Sequence, residues 1–189
     1  MGAIRAVMAH EYRRCHQSLE AFHVRAREGM RRRPSKERRI ELFELYSSFL
    51  HHLYEFMLAA IELRHGPKKA RDHKKVDGFL ADEAEKVRKN RLDRIARGDA
   101  PRWMKASAHQ QPIPASFAEA LREVRNCVAH ARVDRAGTGK APSLAEFYRH
   151  HHAHALLLFE EEGWTWHVRD VEAFDWGRIE EFAEAVIGR

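Results

Sequence analysis

Apolar residues recur at spacings of three and four from the start of the chain. Ile4, Val7, Met8, Tyr12, Cys15, Leu19 and Phe22 form one stripe, which predicts an amphipathic helix over residues 3–28. Gly29 and Pro34 are expected to break it. Ser35 is a good N-cap for a second, longer stripe: Ile40, Phe43, Tyr46, Phe49, Leu50, Leu53, Phe56, Met57, Ala60 and Ile61. His65-Gly66-Pro67 closes that helix; at 1.5 Å per residue, about 30 residues span about 45 Å, enough for the spine of a bundle. A third helix, with a break near Gly78, is expected over residues 68–97 on Val76, Phe79, Leu80, Val87, Leu92 and Ile95. Its charged flanks predict shallower burial. Gly98, Pro101, Pro112 and Pro114 make residues 98–115 a loop. Ser116 then opens a fourth helix from Phe117 to about Ala131, with Phe117, Leu121, Val124 and Val128 on one face. Ala136-Gly137-Thr138-Gly139 reads as a turn.

The tail patterns differently. Ser143 to His150 reads as helical, and the short apolar runs Ala155–Phe159 and Trp164–Val168, separated by acids and Gly163, predict a β-hairpin. A last helix is expected from Trp176 to Val186. The expected fold is all-α: an up-and-down four-helix bundle over residues 1–135, with a small C-terminal appendage (136–189, hairpin plus final helix) packed on the same domain.

Composition narrows the function classes. At 44 % hydrophobic and 33 % charged, the chain is neither disordered nor membranous, and no apolar run approaches the roughly 20 residues of a membrane span. Met1-Gly2-Ala3-Ile4-Arg5 has no signal-peptide layout, and 2 cysteines, Cys15 and Cys127, cannot make a disulfide framework or a four-thiolate zinc site. A cytoplasmic protein with reduced thiols is expected. Lys and Arg exceed Asp and Glu by 34 to 28, a net charge of +6 that favours polyanionic partners. Arg25, Arg27, Arg31, Arg32, Arg33, Lys36, Arg38 and Arg39 crowd one helix–helix connection. That crowding reads either as a solvated connection or as a phosphate-contacting surface of salt-dependent affinity.

The fourth helix carries Arg125-Asn126-Cys127-Val128-Ala129-His130. Two other arginines precede a histidine by five positions, Arg5/His10 at the chain start and Arg149/His154 inside a histidine-rich run, so spacing alone does not choose. Arg125/His130 alone lies on a well-formed apolar helix with a polar residue beside the arginine and a polar loop after it. That motif, in that place in an all-α bundle, resembles the Arg-x4-His signature of HEPN domains, over about residues 1–135. The resemblance implies a metal-independent endoribonuclease that takes no cofactor, with Arg125 and His130 catalytic and Asn126 assisting. It also implies a composite site across a homodimer, products bearing a 2′,3′-cyclic phosphate and a 5′-hydroxyl, and a place as a toxin or phage-defence effector with an antitoxin or inhibitor protein.

The residue types suit that chemistry. An imidazole with ordinary pKa near 6.5 exchanges protons at neutral pH, and a guanidinium offers forked donors to a phosphate gaining charge. Arg31, Arg32, Arg33 and Arg132 are the candidate RNA contacts. Some HEPN toxins carry a modified tyrosine two residues after the histidine; here that position is Arg132. On an ideal helix, Arg125 and His130 project about 140° apart, so one helix does not easily aim both at one atom; the long arginine could bend back, the helix could end at His130, or, more generally, a two-fold pairing of helices could pool the groups. Glu55 lies in the most apolar part of the chain and needs a cationic partner, for which Arg125 or another late-helix arginine is a candidate; Glu55 would then orient the motif arginine.

Two other readings stand beside this one. A non-catalytic HEPN-like module would bind nucleic acid or assemble a complex. A metal-dependent bundle enzyme would use Glu20/His23 with Glu62/His65, or His51 with Glu55. His150, His151, His152 and His154 read as a solvated or RNA-facing run, Cys127 as core, and Trp164, Trp166 and Trp176 as filling for the appendage.

Overall fold

The computed structural model describes residues 2–31, 34–129, 143–165 and 176–187, with backbone alone at 30–31, 128–129 and 163–165. These residues form α1 (Gly2–Arg31), α2 (Lys36–His65), α3 (Pro67–Ala70), α4 (His73–Ala96), α5 (Phe117–Ala129), α6 (Leu144–Thr165) and α7 (Gly177–Ile187). A single 3-10 turn occupies Ala106–His109, and no strand occurs among the described residues. None of these helices is long and apolar enough to cross a membrane.

Local chemistry sets the ends of α2. The Ser35 side chain accepts from the Arg38 N–H at 3.2 Å, filling one of the orphan donors of the first turn. At the other end Gly66 has φ +87° and its N–H reaches the Glu62 carbonyl at 2.8 Å. Only glycine adopts that backbone at little cost, and Pro67 then starts α3 where no amide donor is needed. Asp72 caps α4 by accepting from the Lys75 N–H at 3.4 Å.

Glycines inside helices act more weakly than expected. Gly29 does not stop α1, which continues to Arg31, and α4 passes through Gly78 unbroken. A helical glycine costs about 1 kcal/mol relative to alanine, which packing of a long helix outweighs. The break in this region falls instead between α3 and α4.

α1 and α2 pack antiparallel along most of their length. Contacts step down one helix as they climb the other: Glu11 with His52, Cys15 with the Phe49 carbonyl, Ser18 with Ser48, Arg25 with Glu41. α2 touches α1, α3, α4, α5 and α6. Its buried side chains accordingly come in runs (Phe49/Leu50, Leu53/Tyr54, Phe56/Met57, Ala59/Ala60/Ile61) that occupy a far wider arc than one stripe. Each large apolar side chain buried here stabilises the fold by about 1.5–3 kcal/mol.

α6 corrects the reading of the tail. The run Ala155–Phe159 is helical, not the first strand of a hairpin. Phe147, His151, Ala155, Leu158 and Glu162 are buried at steps of three and four, and Leu157 and Phe159 are buried beside them, so a helix enclosed on several sides mimics a continuous apolar strand. Trp164 and Thr165 end the same helix, and residues 166–168 lie outside the described residues. The acids read as a hairpin turn form an ion-pair face instead: the deeply buried Arg91 donates to Glu161 at 2.6 and 2.8 Å and to Glu160 at 2.9 Å. α4 is therefore less shallow than its charge suggested, with Val76, Leu80, Ala84 and Val87 buried. α6 shares the core of the other helices: Tyr12 stacks on Phe159 at 4.8 Å, and Phe147 and Phe117 lie 6.4 Å apart.

Arg88 and Glu85 fasten the 98–115 connection to α4. Arg88 donates to the His109 carbonyl at 2.6 Å, and Glu85 accepts from the Ile113 N–H at 3.2 Å.

Candidate functional site

Along α2, His51, His52 and Glu55 fall within about 100° of arc, with Glu55 between the two histidines and one turn further on. α1 flanks this patch on the His52 side and α5 on the Glu55 side. The three helices thus bring a line of titratable groups to one shallow surface.

α5 reaches the patch through its motif arginine. Phe117, Leu121 and Val124 bury one face of α5. On the flank, Arg122 pairs with Asp77 of α4 at 3.0 Å, while the Arg125 Nε donates to Glu55 Oε1 at 2.8 Å. The Arg125 Nη2 also donates to the same oxygen, and its Nη1 reaches Asn126 Oδ1 at 3.2 Å. Below, the Tyr54 ring faces the guanidinium, 5.6 Å from centroid to Cζ. The side chains of Arg125 and Glu55 remain 24 % and 27 % exposed, so the pair sits at the rim of the bundle. Burial pushes the Tyr54 hydroxyl up to about 12, aided by Asp77, so the phenol stays protonated.

On the other side, Glu11 of α1 holds two imidazoles. His52 Nδ1 lies 2.6 Å from one carboxylate oxygen and His10 Nδ1 lies 3.3 Å from the other. Burial alone would raise the Glu11 carboxyl. The hydrogen bonds and charges of His52 and His10 outweigh that and hold it below the usual carboxylate range. An ionised Glu11 only accepts, so the proton between the pair rests on His52 Nδ1, and the neutral ring then presents Nε2 as its acceptor.

His51 lies on the other side of Glu55 from His52. Its ring centroid is 5.1 Å from that of His52, and it feels the charges of Glu55, Arg125 and Glu11. Burial pushes it down, which keeps it neutral at pH 7. Its Nδ1 is sheltered from solvent and meets no hydrogen-bond partner among the described residues.

Glu55, Arg125 and Asn126 come together as one hydrogen-bonded set. His130 and Arg132 follow α5 and lie outside the described residues, as do Arg32 and Arg33; Arg31 ends α1 with its side chain outside them. The basic connection is partly neutralised by its own acids, since Arg25 and Arg38 pair with Glu41 at 2.7 and 3.3 Å, and Arg38 with Glu28 at 3.1 Å. Glu20 is exposed beside His16 at 3.8 Å, and His65 stacks on Phe79 at 4.0 Å. Among the described residues no group of three or more His, Cys, Asp or Glu is placed to hold a metal ion.

The histidine run is solvated only in part: His150 is exposed, and His152 and His154 are half-buried. His151 is buried against Phe147 and Phe117, and His152 reaches the Tyr46 hydroxyl at 3.0 Å. Cys127 is half-buried rather than core, while Cys15 is fully buried and its thiol pushed well up by burial. Trp176 packs at the edge of the core, 5.8 Å from the His10 ring.

Sequence reasoning missed the Glu11–His52 pair. Both residues were visible, but they are separated by 41 positions, and nothing local marks them as partners. No family model, curated protein or solved structure matches this chain.

The arrangement offers a fixed cation, an amide, and an imidazole whose tautomer a carboxylate sets. Those groups can hold an anion and move a proton beside it.

Proposed function

We propose that the protein is a metal-independent endoribonuclease of HEPN type, cleaving RNA by attack of a 2′-hydroxyl on the adjacent phosphate. The observation that carries this reading is the Arg125 guanidinium, anchored by Glu55, linked to Asn126 and partly exposed at the rim of the bundle. Arg125 offers its donors to the phosphate as charge builds in the transition state. Asn126 assists, and His130, five residues along the same motif, exchanges a proton with the nucleophile or the leaving oxygen. In this reading α1, α2, α4 and α5 are the four-helix unit. A two-fold homodimer pools the motifs of two copies, because an ideal helix would aim residues five apart about 140° from each other. Arg31, Arg32, Arg33 and Arg132 supply further phosphate contacts. A cytoplasmic toxin or phage-defence effector with its own inhibitor protein fits such an activity.

One observation favours a second reading, a non-catalytic nucleic-acid-binding or complex-assembly module: Glu55 already neutralises the motif arginine. RNA cleavage in the presence of EDTA, comparing wild type with His130→Ala and His10→Ala, separates the two. The ribonuclease reading expects loss in His130→Ala alone and a 2′,3′-cyclic phosphate product. Absence of cleavage by wild type across varied RNAs, or equal cleavage by all three proteins, moves the assignment to the binding module. Activity abolished by EDTA overturns metal independence.

A further inference from the structure

We propose that His52, held by Glu11, is the general base of this site and that Glu11 is its positioning residue. The inference rests on the ribonuclease reading and deepens it by giving the nucleophile a proton acceptor of its own. Three observations carry it. First, His52 and Glu11 form a short interhelical hydrogen bond of 2.6 Å, and each side chain is 16 % exposed, dry enough to fix the ring yet open at its edge. Second, the Glu11 carboxylate receives Nδ1, so the lone pair of the neutral ring is on Nε2, the nitrogen left for a substrate. Third, His52 and Glu55 are three apart on α2, with Cβ atoms about 5–6 Å apart, and Glu55 carries Arg125. His52 is thus one helical turn from the carboxylate that holds Arg125, and in this inference a phosphodiester on Arg125 presents its 2′-hydroxyl to His52.

The step balances without a cofactor. His52 Nε2 takes the 2′-hydroxyl proton as O2′ bonds to phosphorus. The P–O5′ bond breaks, and O5′ leaves with a proton, from His130 in the reading above. The products are the cyclic phosphate and a 5′-hydroxyl, with one proton received by His52 and one given. His51 is not the base: burial holds it neutral, but its Nδ1 is enclosed and no carboxylate fixes its tautomer. His10 shares Glu11 at 3.3 Å, a longer contact on a more exposed ring that lies on α1 rather than beside Glu55 on α2.

The test uses the full chain and a mixed-sequence oligoribonucleotide in EDTA under single-turnover conditions. His52→Ala is expected to lower the cleavage rate by about 100- to 10,000-fold. Its affinity for a 2′-O-methyl version of the same oligonucleotide, which binds but cannot be cut, stays within about twofold of wild type. Added imidazole restores cleavage to His52→Ala, an outcome that a purely structural role does not produce. His52→Gln, which still donates to Glu11 and so preserves the helix contact, shows the same loss. Glu11→Gln shows a smaller one. Wild-type rates in His52→Gln beside an inactive His130→Ala overturn this inference alone. A loss in His52→Ala that imidazole does not rescue, accompanied by weaker binding, overturns it too. A wild type that cleaves no RNA removes both this inference and the reading on which it rests.

Discussion

The Glu55–Arg125 pair joins α2 to the motif helix, and its strength follows from its surroundings. The contact is 2.8 Å through Nε, with Nη2 bound to the same oxygen, and the two side chains are 27 % and 24 % exposed. A fully exposed pair contributes about 0.2–1 kcal/mol, whereas breaking a fully buried one by removing a single partner costs about 3–5 kcal/mol. Three-quarters burial with water at the rim lies between these limits, and solvent still screens the charge left behind. Glu55→Ala is therefore expected to cost about 2 kcal/mol and Arg125→Ala a similar amount, with a coupling of about 1–2 kcal/mol between them in a double-mutant cycle. For a chain of this size that cost lowers the melting midpoint by about 4–8 °C. Glu55→Gln should cost less than Glu55→Ala, since its amide oxygen still accepts from the guanidinium. Urea unfolding of wild type, both single variants and the double variant measures the coupling. A coupling below about 0.3 kcal/mol, with unchanged denaturant slopes, refutes the claim that this contact fastens the motif helix to the spine.

Other outcomes test the rest of the fold. Burial, with the His23 charge second, pushes His152 down to about 4. The unfolded chain thus takes this proton near pH 6.5 and the native state only near 4, so the stabilisation is complete above 6.5 and lost as pH falls to 4. About 2–3 kcal/mol of stability should disappear across that window, and thermal melts of His152→Gln should show a visibly flatter pH dependence; identical slopes would remove His152 as the source. Leu53→Ala, at a position with no exposed surface, should cost about 2–5 kcal/mol in urea unfolding, whereas a cost under about 1 kcal/mol would mean α2 is not the packed spine.

The bounds of α2 were legible in the sequence because its signals are local. Ser35 caps through an atom three residues away, and Gly66-Pro67 stops the helix through its own backbone. The stripe of α1 was legible for the same reason, although the helix runs past Gly29 to Arg31. Glu55 was legible in part. A carboxylate among apolar neighbours signals the need for a cation, and Arg125 supplies it. α6 was misread because periodicity marks a helix only when one side faces water. With core on several sides and an acidic end facing Arg91, its pattern lost the contrast that separates helix from strand.

What the sequence determined by itself, then, was the helical class, the ends of the helices that carry caps, and the place of the Arg125–Asn126 motif on a late amphipathic helix. These depend on backbone geometry and on neighbours within a turn or two. Only the tertiary structure decided that Glu11 meets His52, that Arg91 meets Glu160 and Glu161, and that His51 feels the charges of Glu55, Arg125 and Glu11. Such meetings depend on how far each rigid helix slides and rotates against the next. A shift of one residue turns a helix by about 100° and carries a side chain to another face, and no local signal along the chain encodes that register.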